Sequence, residues 1–392
     1  MGGERRRPWP PDLARRWEGL GPRRRRAVGL IALSLLILGA AAAVDLHRGG
    51  APSPTRRPGL LTGADWISAR EGWIVLTDPG VPESVLFATS DGGAHWRRQL
   101  TAPGPLAVQF LGPKLGFATE QPGQEGGAPR LLQTTDGGGH WRELNLPGPG
   151  DAGAPVFVDA ERGWLLAGTG PGVVVLYRTL DGGRDWEALP PVGDPGRAGP
   201  GPAAATSLWF RDASNGWLGG VAGDGSAVVY VTRDGGRSWR GTPLPEPVTG
   251  PGGGHDLQVL IPSLSRTGVG ALPVLDASSR SAEVYLSTDG GETWRNPVPA
   301  PGGAAPVFVD GRDGWLLDGR RAWTSSDSGR SWRARTPAPA GWQFDGFLPV
   351  SASVALARLV PAGAVVDETG PWRLVRTVDG GRSWHQIPLP GL

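Results

Sequence analysis

A signature of eight residues, (Ser/Thr)-x-Asp-x-Gly-x-x-Trp, recurs seven times along this chain and constrains its fold more than any other feature. The repeated aspartates are Asp91, Asp136, Asp181, Asp234, Asp289, Asp327 and Asp379. Five positions after each comes a tryptophan: Trp96, Trp141, Trp186, Trp239, Trp294, Trp332 and Trp384. Successive aspartates are 45, 45, 53, 55, 38 and 52 residues apart, in or near the period at which four-stranded propeller blades repeat. One such unit cannot bury its own apolar face. Seven of them satisfy that need by stacking into a ring.

The residue types explain why the signature marks a turn between strands. An aspartate carboxylate can accept hydrogen bonds from backbone N–H groups one or two residues further on, forming an Asx-type turn. The glycine two positions later permits a positive φ. The Ser/Thr hydroxyl can tie the incoming strand to the same corner, and the tryptophan opens the outgoing strand and fills the gap between sheets. A second repeat precedes it: Gly72-Trp73, Gly116-Phe117, Gly163-Trp164, Gly216-Trp217 and Gly314-Trp315, each after a short apolar segment such as Val108-Gln109-Phe110. Two repeats lack the aromatic and offer Leu260-Ile261 and Phe347-Leu348 as first strands. Every unit thus reads strand, strand, strand, Asp turn, strand. The expectation is an all-β, seven-bladed β-propeller of about 28 strands. Nothing C-terminal obviously completes the first blade, and Leu60-Leu61 is expected to pair with the last. Sevenfold repetition assigns the aspartates and tryptophans to the scaffold, because chemistry needs one site and a scaffold needs every blade.

The ends divide the chain further. Residues 27–44 are eighteen uncharged residues, long enough to cross a bilayer as one helix. Residues 1–26 hold nine arginines against Glu4, Asp12 and Glu18, which places them in the cytoplasm and the remainder outside. The segment reads as a transmembrane signal anchor, with cleavage near Ala40–Ala43 as the alternative. A linker follows at 45–61, and the propeller occupies 62–392. Of the whole-chain charge of +2, the part beyond the tail carries about −4, so nucleic acid is not an expected partner. Cysteine is absent, which excludes disulfides and lipoprotein attachment.

Function should lie where loops vary on the rigid ring. If the Asp turn joins the third and fourth strands, the face opposite it carries Thr77 to Val85, Thr119 to Arg130, Leu272 to Glu283 and Val360 to Trp372. Charged residues there are Glu83, Glu120, Arg130, Asp151, Arg197, Asp224, Asp276, Arg280, Asp318, Arg320, Arg321, Arg358, Asp367 and Glu368. Arg320, Arg321 and Arg358 form the candidate binding patch for an anionic group. No catalytic residue, metal ligand set or cofactor is expected: the histidines lack ligand spacing and no phosphate-binding loop occurs.

The eight-residue signature resembles the Asp-box, or bacterial neuraminidase repeat, across some 330 residues. With its Gly-Trp and Thr-x-Asp-Gly-Gly-x-x-Trp elements the chain looks most like the photosystem II assembly and stability factors. That resemblance implies a non-enzymatic propeller that binds a membrane-protein or exported client during assembly, photosynthesis being its setting in that family. Sialidases resemble it more distantly and imply the alternative, an exo-glycosidase or carbohydrate-binding propeller. They use an arginine triad, a tyrosine nucleophile and an Arg-Ile-Pro motif. No Arg-Ile-Pro occurs here, and Tyr177, Tyr230 and Tyr285 all occupy one strand position.

Overall fold

The computed structural model describes residues 59–391 except 79, 81–82, 124–125, 148–150, 171–172, 193–203, 223–224, 246–255 and 364–370. The tail, the anchor segment at 27–44 and most of the linker lie outside the described residues. Among the described residues no helix is long and apolar enough to cross a membrane.

Seven antiparallel sheets form seven blades, each ordered as its strands occur in the chain. Blade 1 runs Leu60–Trp66, Gly72–Thr77, Ser84–Thr89 and Arg97–Ala102, and blade 2 runs Leu106–Phe110, Gly116–Glu120, Arg130–Thr134 and Arg142–Leu144. Blade 3 comprises Val156–Phe157, Gly163–Gly170, Val173–Thr179 and Glu187–Ala188, with a short extra strand, Asp151–Ala152. Blade 4 comprises Ala204–Phe210, Gly216–Val221, Ala227–Thr232 and Arg240–Pro243. In blade 5 the first strand is split into Leu257–Val259 and Ser263–Leu264, followed by Gly270–Asp276, Ser281–Ser287 and Arg295–Pro299. Blade 6 holds Val307–Phe308, Gly314–Leu317, Arg321–Ser325 and Arg333–Pro337, and blade 7 holds Trp342–Pro349, Ala355–Pro361, Arg373–Thr377 and His385–Gln386.

Three expectations need correcting. Leu260-Ile261 is the break between the two halves of a strand, not a strand; Pro262 follows it and has no N–H to offer a ladder. The supposed long loop from Leu272 to Glu283 is a hairpin whose turn is only 277–280. Leu60 and Leu61 pair with Thr77 and Leu76 inside blade 1, not with the last blade.

The ring therefore closes without strand exchange. Trp66, Ile74 and Leu76 of blade 1 pack with Leu356, Leu374 and Ile387 of blade 7 in one buried cluster. Trp96 Nε1 donates to Pro388 O at 2.8 Å, and Arg376 Nη1 donates to Ala69 O at 3.0 Å and Gly92 O at 2.6 Å.

The Gly-Trp element explains how blades stack. In blades 1 to 4 and 6 an aromatic near the end of the first strand lies flat over the glycine that opens the second. A Cβ on Gly163 would meet Phe157 at 2.6 Å, and one on Gly216 would meet Phe210 at 2.5 Å. The outer face of that aromatic takes the indole or phenyl ring of the preceding blade. Trp73 stacks on Phe110 at 3.6 Å and 7°, Phe117 on Phe157 at 3.6 Å and 2°, and Trp164 on Phe210 at 3.7 Å and 5°. The Asp-box tryptophan of the same blade meets its edge, as Trp141 does Phe110 at 84°. Aliphatic groups serve elsewhere: Trp217 packs with Leu264, and Ala271 with Phe308.

Adding a methyl at this glycine should overpack the interface. Gly216→Ala is expected to lower unfolding free energy in urea by about 2 kcal/mol. Gly112→Ala, where a Cβ meets nothing within 4 Å, should stay within about 0.5 kcal/mol. Equal effects would contradict this packing.

Candidate functional site

The Asp turns are the most polar repeated feature of the ring. In all seven, the Ser/Thr hydroxyl donates to the aspartate Oδ1 at 2.8–2.9 Å. The same hydroxyl accepts from the glycine N–H at 2.8–2.9 Å. Oδ1 also accepts the N–H four residues on, at 2.9–3.0 Å. The sequence reading had the N–H donors one or two residues after the aspartate; they lie further on because the turn is a full loop of chain. The residue after each aspartate donates its N–H to the turn between first and second strands at 2.7–2.9 Å, from Gly92 to Arg70 O through Gly380 to Ser353 O. Both kinds of turn therefore share one face.

In six blades the side chain four residues on caps Oδ2. His95 and His140 do so through Nδ1 at 2.7 and 2.6 Å, and Ser238, Thr293, Ser331 and Ser383 through hydroxyls at 2.5–2.6 Å. The backbone N–H of His95 and of His140 leads in holding Asp91 and Asp136 well below the usual carboxylate range, and the Ser383 hydroxyl leads at Asp379. A carboxylate so committed is a poor proton carrier. Among the described residues no group of His, Asp and Glu is arranged to hold a metal ion. The box tryptophans divide: Trp239 and Trp294 are buried, while Trp96, Trp141, Trp186, Trp332 and Trp384 are half-buried.

On the opposite face most candidate charges are engaged locally. Glu83 pairs with Arg98 at 3.2 Å, and Arg130 bridges Glu120 and Glu143 at 3.2 and 2.8 Å. Asp276 accepts from Ser278 and Ser279. Asp318 takes the N–H groups of Arg320 and Arg321 and the Trp323 indole N–H, all at 2.8–2.9 Å. Arg358 is turned onto Asp345, bonding both its carboxylate and its backbone oxygen. Arg320 sits exposed on the turn between second and third strands of blade 6, and Arg321, also exposed, opens the third. Arg280 holds a left-handed φ of 53° in the corresponding turn of blade 5. Arg197, Asp224, Asp367 and Glu368 fall outside the described residues, as does the side chain of Asp151.

One feature of this face escaped the sequence reading. Arg321 lies 5.9 Å over the Trp323 ring, and in blade 7 Arg373 lies 4.1 Å over Trp342. Two tryptophans outside the Asp-box pattern, Trp323 within the third strand of blade 6 and Trp342 opening blade 7, were the available signal. An arginine placed over a half-buried indole gains a cation–π attraction while its donors remain available.

The tyrosines present no exposed nucleophile. Tyr285 is 0% exposed, donates to Pro245 O at 2.9 Å, and burial beside Glu283 pushes its hydroxyl above the ordinary range. Tyr230 is also buried, and Tyr177 half-buried.

Asp65, on the inner strand of blade 1, reaches across to blade 2 and accepts the Phe110 N–H at 2.5 Å. Gln109 and Ser263, at the same strand position, make the same reach to Phe157 and Gly311 with neutral groups. Burial pushes the Asp65 carboxyl up to about 6, against the lowering effect of the Phe110 N–H.

The native state holds the Asp65 proton more tightly than the unfolded chain, so the Asp65 contribution to stability falls as pH rises from about 4 to about 6 and is level above that. Asp65→Asn should remove that slope and stabilise the ring at pH 8 by on the order of 2 kcal/mol; an unchanged slope in denaturant titrations would refute it. Thr134→Val strands the Gly138 N–H, removes one of the donors to Asp136 and should cost about 2 kcal/mol. Thr134→Ser keeps the hydroxyl, as Ser287 and Ser325 do in their own blades, and should cost well under half of that.

With the geometry established, comparison with known proteins gives consistent fold relatives. The BNR/Asp-box repeat family matches residues 285–296. No curated protein matches the chain in sequence. Among solved structures, YCF48 bound to D1 peptide superposes with a TM-score of 0.53 at 19% identity, covering 87% of this chain and 99% of that one. YCF48 from Cyanidioschyzon merolae gives 0.52 at 16%, covering 79% and 95%. The β-propeller domain of the Trilobed protease from Pyrococcus furiosus gives 0.53 at 11%, covering 86% and 97%, and is described as having an open velcro topology.

Proposed function

The chain is an Asp-box β-propeller resembling YCF48, and we propose that it is a non-enzymatic scaffold that binds an exported or membrane-protein client. One observation carries this reading. The Ser/Thr hydroxyls, aspartates and N–H groups of the Asp turns are consumed within the turns, whereas the opposite face of blades 6 and 7 presents Arg320 and Arg321 with the Arg373–Trp342 and Arg321–Trp323 pairs. Aromatic and arginine side chains of this kind dominate binding energy at protein interfaces. The YCF48 relative bound to a D1 peptide supports the idea that a ring of this fold takes a peptide from a client. The uncharged segment at 27–44 and the arginines before it support a membrane anchor, with the ring on the extracytoplasmic side.

Affinity capture from detergent-solubilised host membranes tests the client. Wild type should retain a membrane protein, and Arg320→Glu with Arg321→Glu should reduce its recovery at least about tenfold. Recovery of free propeller alone, or turnover of a fluorogenic sialoside, would overturn the scaffold reading. Carbonate washing of the same membranes should leave the full-length chain in the pellet; quantitative release would remove the anchor.

A further inference from the structure

Blade 6 alone breaks the Asp-turn pattern, with Ser328 where the other six have glycine. Ser328 holds a left-handed φ of 63°, and its hydroxyl donates to Gly311 O at 2.8 Å. Beside this corner, on the Asp-turn face, blades 5 and 6 leave a cleft of about 410 Å³, within the size range of small-ligand sites. Ser265 and Thr267 line it from blade 5; Arg312, Ser326 and Arg330 line it from blade 6.

The charges in the cleft are unequal. Arg312 Nε donates to Ser326 O at 2.7 Å, which fixes the guanidinium. Its two Nη groups have no partner among the described residues. Arg330 spends one Nη on Asp327 O at 3.2 Å. The Asp327 carboxylate also borders the cleft, but it is saturated by Ser325 Oγ, Ser331 N and Ser331 Oγ at 2.6–2.9 Å. Asp310 lies on the same turn, accepts the Arg312 and Asp313 N–H groups, and does not line the cleft.

We propose that this cleft binds an oxyanion, carboxylate or phosphate, gripped by Arg312 and Arg330 and completed by the one O–H left over from the Ser265–Thr267 pair, whose hydroxyls bond each other at 2.9 Å. A guanidinium already held through Nε offers its remaining edge as a fork that matches two oxygens of such a group. The proposal is independent of the client site on the other face, since different residues and a different end of the ring are involved. Because the anion bridges two blades, its binding stabilises their contact and is read as a change in melting temperature.

The test is thermal unfolding of the full-length chain in detergent, with sodium phosphate, acetate or chloride at constant ionic strength. Phosphate or acetate should raise Tm saturably, by about 3 °C at ten times the half-saturating concentration, while chloride does not. The more effective of the two identifies the ligand chemistry. Arg312→Gln should weaken that response at least about tenfold. Arg330→Gln supplies the same measurement should the first variant fold poorly. Arg184→Gln, at the position equivalent to Arg330 in blade 3, should respond as wild type. No anion-dependent rise, an equal rise in chloride, or a rise untouched by both cleft variants would overturn the proposal.

Discussion

The ring depends most on one contact repeated between neighbours: a side chain near the end of a first strand, aromatic in five blades and Leu264 in blade 5, seated on its own blade's glycine and covered by the preceding blade, with Ala355 in place of that glycine in blade 7. At three interfaces the cover is an aromatic ring in near-parallel stacking. A twisted four-stranded sheet has one face it cannot bury alone, and this contact gives each sheet a defined partner and spacing. The Asp-box tryptophan then meets the edge of the same ring, so one aromatic organises two contacts. The glycine is required because any Cβ would occupy the space of the ring lying on it.

The Asp turn has a complementary task, holding its corner to the neighbouring turn of the same blade. One hydroxyl, one carboxylate and several N–H groups satisfy each other there without help from solvent. This internal saturation leaves the corners uniform. Departures from uniformity then become informative, as at Ser328 and at the arginine–tryptophan pairs of blades 6 and 7. Closure follows the same rule. The two end blades meet through the buried cluster of Trp66, Leu356 and Ile387 and a few side-chain-to-backbone hydrogen bonds, with no strand crossing between them.

The fold was legible because its determinants are local and repeated. Eight residues carry the turn, two carry the glycine seat, and their spacing counts the blades. What stayed hidden depends on encounters between distant residues. Arg358 finds Asp345 and Arg373 finds Trp342 only after blade 7 is paired, so the three-arginine patch could not be separated into exposed and engaged members beforehand. The break at Leu260-Ile261 was masked by apolar residues that suit a strand as well as its interruption. The cleft beside Ser328 arises from turns of two blades and has no contiguous signature.

A double-mutant cycle on Trp164 and Phe210 tests the central contact most directly, since the two rings belong to adjacent blades and stack at 3.7 Å and 5°. Each is replaced by leucine, singly and together, and unfolding is followed in urea. Stacking across the interface predicts a coupling energy of about 1 kcal/mol. Additivity within about 0.3 kcal/mol would mean that the rings act separately and that the blades are held by something else.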